Sequence, residues 1–370
     1  MERSKIRQYF NQKKRKISEL EWRGSNLFHS EKRITCFDLV TKSNSSAIVC
    51  VVDNDGKVYA GNINNSNNNN TDSFASSCDF QASSSSTVEV PSKVTLNSIG
   101  DRLACCVNKP QVQILHLDVS IPSAKRLEHW TLPESIRCAV YCADERNGSE
   151  ALILGSSATH RIYVVDCRMN GKICSQLDDN QSISGSNAHL LHIAGGCLLL
   201  SASTNRSLKL WDLRITTRPI RSIPALSGSN GPISSTIHVD RAGQILARSD
   251  TSGAIRFEEL SSGKLIHYYK SAFPADKCTT TTKCGAFVHF ASQNPLDCNK
   301  NDVFLIAGHQ NRYAICDLQD LFLHRVSHSL INADLGEKID KIFVNKVKWI
   351  ENDDSFILMR QNNLACIRLQ

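Results

Sequence analysis

Short apolar runs rich in Val, Ile, Leu, Tyr and Cys, broken by Gly, Asn, Asp and Ser, recur along the whole chain. Many alternate with the two-residue period of half-buried strands, and few stretches carry the 3.6-residue period of an amphipathic helix. An all-β fold is expected. One unit repeats within it: an apolar strand, a polar turn, and an alternating strand that ends in an acidic or polar residue.

The clearest copy runs from Leu198 to Arg214, with Leu198-Leu199-Leu200-Ser201-Ala202-Ser203 as one strand and Leu208-Lys209-Leu210-Trp211-Asp212 as the next. A second runs from Ala151 through Ser156, turns at Thr159 and His160, and ends Val165-Asp166-Cys167-Arg168. Aligned on Asp212, the weaker copies place Asn62, His116, Asp166, Glu259, Asp317 and Arg368 at the same point, which makes seven registers. Their spacing of about 46 to 58 residues is that of stacked supersecondary units, each too small to bury its own apolar face.

The segment Leu198 to Arg214 resembles a WD repeat. The resemblance implies a seven-bladed WD-repeat β-propeller over residues 25–370, preceded by a short basic extension, 1–24. In that family a small hydroxyl side chain, a tryptophan, a histidine and an aspartate share hydrogen bonds within a blade. Ser203 and Trp211 match, whereas Asn205 stands where the turn aspartate is usual and the Gly-His signature is missing. The last copy ends at Leu364 to Leu369 with no residues left for a fourth strand, so the segment near Asn26 to His29 is expected to supply it and close the ring. The Asn- and Ser-rich stretch from about 62 to 86 reads as an unstructured insertion between blades.

Composition narrows the picture. Hydrophobic residues make up 41% and charged residues 21%, ordinary values for a globular chain, and no apolar run approaches the roughly 20 residues of a membrane span. The N-terminus leads into charged residues and does not read as a secretory signal. The fifteen cysteines lack paired CxxC spacing, so no metal is expected and most are read as buried, reduced thiols of the nucleus or cytosol. The net charge of +7 is concentrated at the start, where residues 1–33 hold ten Lys/Arg against four Asp/Glu. A near-neutral body argues against a broad phosphate-binding face, and direct recognition of DNA or RNA stays a third reading.

No nucleophile elbow, Gly-rich phosphate loop or metal-binding helix is present in the sequence, so no catalytic residue and no cofactor are expected. His189 and His192 form an HxxH pair in front of a strand, where packing within a blade is the expected role. The sharper signal is the Asp-x-Arg ending carried by two consecutive units, Asp166-Cys167-Arg168 and Trp211-Asp212-Leu213-Arg214. Each arginine is expected to emerge on one face of the disc, with its planar fork free to pair with carboxylates or carbonyls of a partner. Such endings also serve purely as turns, the aspartate stabilising the turn and the arginine lying in solvent.

The pair of endings resembles the motif through which WD-repeat substrate receptors of cullin-4 ubiquitin ligases dock on the damaged-DNA-binding adaptor protein. That resemblance implies a nuclear receptor with adaptor-binding residues Asp166, Arg168, Trp211, Asp212 and Arg214; a scaffold for another nuclear complex, in chromatin, DNA repair or RNA processing, is the alternative. In the extension, Lys13-Lys14-Arg15-Lys16 suits nuclear import. Ile6 with Tyr9 and Phe10 resembles the peptide that binds the DNA sliding clamp, with Arg3 in place of its opening glutamine; the three apolar side chains can share one face of a tight helical turn.

Overall fold

The computed structural model describes most residues between Trp22 and Leu369; residues 1–21, 65–80, 179–186, 224–236, 270–286, 291–302, 318–328, 332–345 and shorter loop stretches lie outside the description. Side chains are described mainly between Leu27 and Tyr268. The residues 1–24 assigned to the extension, including Lys13, Lys14, Arg15, Lys16, Ile6, Tyr9 and Phe10, fall almost wholly outside it.

The described chain is all-β apart from a single 3-10 turn at Cys167–Met169. Strand β1 is Trp22–His29. Sheet 1 comprises β2 (Ile34–Thr41), β3 (Ser46–Asp53), β4 (Lys57–Asn64) and β5 (Gln81–Thr87), and sheet 2 comprises β6 (Lys93–Leu96), β7 (Arg102–Lys109), β8 (Gln111–Leu117) and β9 (Ala124–Thr131). Sheet 3 holds β10 (Ile136–Asp144), β11 (Ser149–Ser156), β12 (Ile162–Asp166) and β13 (Lys172–Leu177), and sheet 4 holds β14 (Asn187–His192), β15 (Leu198–Ser203), β16 (Leu208–Asp212) and β17 (Arg221–Ile223). Sheet 5 holds β18 (Ile237–Val239), β19 (Ile245–Ser249), β20 (Ile255–Glu259) and β21 (Leu265–Tyr269). Sheet 6 is β22 (Phe287–Phe290), β23 (Val303–Ala307), β24 (Tyr313–Asp317) and β25 (Ser329–Ile331); sheet 7 is β26 (Lys346–Ile350), β27 (Ser355–Met359) and β28 (Asn363–Leu369), with β1 as its outer strand.

Sheets 1 to 6 are four-stranded antiparallel meanders, sheet 7 is a three-stranded meander completed by β1, and the arrangement is that of a β-propeller. Among the described residues, five inter-sheet cores are defined by buried side chains. Sheet 7 meets sheet 1 through Leu27, Met359 and Leu364 against Phe37, Val49 and Val51. Cys50 and Val52 of sheet 1 meet Leu103 and Leu115 of sheet 2, and Val112 and Trp130 of sheet 2 meet Leu152 and Tyr163 of sheet 3. Ile153 and Ile162 of sheet 3 meet Leu199 and Trp211 of sheet 4, and Leu200 and Leu210 of sheet 4 meet Val239 and Leu246 of sheet 5. The expectation of seven blades is narrowed accordingly: packing defines five blades, sheets 1 to 5, while sheet 6 and most of sheet 7 are described through their backbone pairing.

Because inner strands are covered on both faces, they read as continuous apolar runs; the outer strand β13 instead alternates, with Lys172, Cys174 and Gln176 exposed. All seven residues aligned from the sequence, from Asn62 to Arg368, fall on the third strand of their sheets. In sheets 4, 5, 6 and 7 the aligned residue pairs with the first residue of the second strand: Asp212 with Leu198, Glu259 with Ile245, Asp317 with Val303 and Arg368 with Ser355.

The N-terminal strand β1 completes the last sheet, as expected. β1 pairs antiparallel with β28, from Trp22 opposite Leu369 to His29 opposite Asn363. It begins at Trp22, earlier than the Asn26 to His29 expected from sequence. The Phe28 ring lies 4.8 Å from Tyr59 of β4, so the closing strand also touches the next sheet. Of the stretch 62–86, read as unstructured, residues 62–64 end β4 and residues 81–86 belong to β5, which pairs Ala82 with Tyr59 and Gln81 with Ala60, while residues 65–80 lie outside the description. This polar Gln-Ala-Ser segment is the outer strand of sheet 1 and is joined to it by ladder hydrogen bonds.

Candidate interaction face

In a four-stranded meander the first and third connections leave at one end of the sheet, and the second connection and the link to the next sheet leave at the other. The turns after β12 and β16, which carry Arg168 and Arg214, therefore open on the same face of the stack, together with the β6–β7 and β14–β15 turns.

The two Asp-x-Arg turns have the same construction. Asp166 Oδ1 accepts the Arg168 backbone N–H at 2.8 Å and its Nε at 3.1 Å, while Oδ2 accepts Nη2 at 2.8 Å. Asp212 Oδ1 accepts the Arg214 backbone N–H at 2.9 Å and its Nε at 2.8 Å, while Oδ2 accepts Nη2 at 2.6 Å. The hydrogen bonds from the arginine side chain and backbone hold both aspartates well below the usual range, at about 2. The residues between them anchor the turns, Cys167 in the core of sheets 2 and 3 and Leu213 against the core of sheets 3 and 4. Arg168 and Arg214 remain 68% and 73% exposed.

This geometry corrects one expectation. The forked edge of each guanidinium, Nε and Nη2, is occupied by its own aspartate, so what faces outward is the Nη1 side of a pinned cation. Trp211, grouped with the adaptor-binding residues on sequence grounds, is fully buried between sheets 3 and 4. Its Nε1 donates to Ser201 Oγ at 2.8 Å. Ser203, the hydroxyl matched to Trp211 from sequence, instead meets His160 Nδ1 of the preceding sheet at 2.9 Å. Asn205 lies outside the described residues. His189 and His192 fall on β14, and their side chains are outside the description too.

Sheet 5 departs from this plan. Arg248 and Glu258 occupy the register positions of Ser201 and Trp211, and they form a buried ion pair at 3.0 Å, with Arg256 Nε 2.6 Å from the same carboxylate oxygen. Its third connection reads Glu259-Leu260-Ser261-Ser262 and is capped from sheet 4, where Arg221 donates to the carbonyls of Leu260 at 3.1 Å, Ser261 at 2.7 Å and Ser262.

The opposite face carries a network that the sequence reading missed. Glu134, in the link between sheets 2 and 3, accepts Ser156 Oγ at 2.6 Å, Thr159 Oγ1 at 2.7 Å and Arg161 Nη1 at 2.7 Å; Arg161 Nε also donates to Asp178 at 3.1 Å. Burial raises the Glu134 pKa, and these donors more than offset it, leaving the carboxyl below its usual range. No local pattern marks Glu134, since its partners are brought by the β11–β12 turn 22 to 27 residues later.

Of the nine cysteines with described side chains, none is in a disulfide and six are buried. Burial pushes Cys138 up to about 11 and Cys167 up to about 12, with neighbouring charges as smaller influences. Among the described residues no group of His, Cys, Asp or Glu is arranged to hold a metal, and no helix is long and apolar enough to cross a membrane.

Fold and face together define a β-propeller whose third-connection turns on two adjacent blades present pinned arginines to solvent. No protein-family model matches the chain, and no curated protein matches it.

Proposed function

We propose that the chain is a non-enzymatic scaffold of the WD-repeat type, a seven-bladed ring that serves as a nuclear substrate receptor docking on the cullin-4 ligase adaptor through Arg168 and Arg214. The observation that carries this reading is the duplicated turn, in which two adjacent blades hold an exposed arginine in one geometry. Pinning matters because a pre-ordered guanidinium loses little rotamer entropy when a partner arrives. The blade count is supported by seven four-stranded sheets among the described residues and by the neighbour relations of β18 with β22, β22 with β26 and β26 with β2. The propeller contributes proximity and orientation, and partners perform the ubiquitin transfer. Lys13 to Lys16 would direct nuclear import, and Ile6, Tyr9 and Phe10 would engage a sliding clamp.

The test is affinity capture of the adaptor by the full chain and by the Arg168→Ala, Arg214→Ala double variant. Recovery by the parent chain and loss in the variant, with thermal unfolding unchanged, is the expected result. Equal recovery by both refutes the assignment. Copurification of chromatin or RNA-processing subunits without the adaptor would favour the scaffold of another nuclear complex.

A further inference from the structure

The two arginine turns share one more feature. Each arginine is followed by a large apolar residue that stays in solvent: Met169 is 51% exposed and Ile215 48%. The repeated unit is therefore four residues long, Asp166-Cys167-Arg168-Met169 and Asp212-Leu213-Arg214-Ile215. Its first residue caps, its second is anchored in a blade core, and its third and fourth project. Ile220, 53% exposed, ends the same connection of sheet 4, and Ile99, 61% exposed, lies in the β6–β7 turn on the same face. Four of the seven large hydrophobic residues exposed among those described thus lie at this end of the sheets. The matching turn of sheet 5 has serines at the third and fourth positions and is covered by Arg221, so the element is confined to blades 3 and 4 among those with described side chains.

We propose that this four-residue unit is a two-pronged docking element, and that its partner is a protein surface offering each prong a carboxylate beside an apolar recess. This deepens the adaptor-docking reading and rests on it. The carboxylate follows from charge complementarity: the Nε edge is spent on the aspartate, while the Nη1 side still has hydrogens to donate and faces outward. The recess follows from Met169 and Ile215, whose exposure leaves apolar area that association removes from water. Placing an ion pair at the edge of an apolar contact also keeps water from the charge, the arrangement typical of interface hot spots.

The experiment titrates the full chain against the purified adaptor at low and high salt. The variants are Met169→Ser with Ile215→Ser, Arg168→Ala with Arg214→Ala, the conservative pair Met169→Leu with Ile215→Leu, and Val90→Ser on the opposite face as a control. The serine pair is expected to weaken binding at least tenfold at either salt concentration, and the leucine pair to bind within about twofold of the parent. The arginine pair is expected to lose both affinity and most of the salt dependence. A serine pair that binds like the parent chain overturns the apolar half of the element and leaves adaptor docking standing. No binding by the parent chain overturns both. Two other occupants would also overturn it: a DNA duplex whose binding needs the arginines but not Met169 and Ile215, or self-association of the chain abolished by the serine pair.

Discussion

Blades 4 and 5 are adjacent and share one backbone register, yet they fill equivalent positions with opposite chemistry. Where blade 4 sets the Trp211 indole against the Ser201 hydroxyl at 2.8 Å, blade 5 sets Glu258 against Arg248 at 3.0 Å, with Arg256 beside them. Trp211 needs a single hydrogen bond to satisfy its one polar atom, and the rest of its surface packs as apolar area. Glu258 and its arginines must be desolvated, and their mutual attraction offsets that cost only while all partners are present. The two blades teach that the repeat is carried by the strand ladder and by what each blade presents to its neighbour. A signature tryptophan is one solution among several.

The largest test of this contrast removes each centre. Glu258→Ala leaves Arg248 buried and Arg256 half-buried without their carboxylate and is expected to cost about 3–5 kcal/mol, and Trp211→Ala is expected to cost a similar ~3–5 kcal/mol through the cavity it opens. Denaturant unfolding measures both. The two differ in rescue: Arg248→Met added to Glu258→Leu is expected to recover much of the Glu258 loss, whereas no substitution at Ser201 recovers the loss at Trp211. Failure of the rescue would mean that the ion cluster does more than fill space.

A smaller effect comes from the turn that couples the two blades. Gly263 has φ +68°, and a Cβ there would run into the Arg221 guanidinium that caps the turn. Gly263→Ala is expected to destabilise by about 1–3 kcal/mol, combining backbone strain with loss of the cap. In the Arg221→Ala background part of that cost disappears, which a double-mutant cycle reads directly. Blade 3 offers the parallel case, where a Cβ on Gly171, φ +82°, would meet the Trp130 ring of blade 2.

The smallest effect is the pH dependence of the arginine turns, present in blades 3 and 4 and missing from blade 5. The carboxyls of Asp166 and Asp212 lie at about 2, below the ordinary aspartate value. A depressed folded-state pKa adds stability that is complete above the unfolded value and is lost as pH falls through the folded one. The turns are therefore expected to lose their contribution to stability between roughly pH 4 and 2, and their pairing only as the carboxyls become half-protonated at about 2. NMR titration of the two carboxyl carbons checks this, and Arg214→Ala should return Asp212 toward the ordinary aspartate range while leaving Asp166 in place.

Much of this architecture is legible in the chain. The alternation of apolar positions marks the strands, and the spacing of the Asp212-like residues marks the third strand of every sheet. The choice between Ser201 and Ser203 is not legible. Both share a face of β15, and only the register, which sets Trp211 opposite Leu199, makes Ser201 the diagonal neighbour and leaves Ser203 about 7 Å farther along the strand. Ser203 then meets His160, a residue of another blade and 43 positions away.

Periodicity and turn chemistry are local properties, and they alone determined that the chain is all-β and repetitive. The Asp-x-Arg turns belong to the same class, since an aspartate accepting hydrogen bonds two residues on needs nothing distant. Tertiary structure decided what each blade shows its neighbour: the Glu134 network, the Arg221 cap, the buried Arg248–Glu258 pair and the placing of Met169 and Ile215 beside the two arginines on one face. The Glu134 and Arg221 contacts join residues 22 to 41 positions apart, and all of these arrangements exist only once the strands have paired and the blades have stacked.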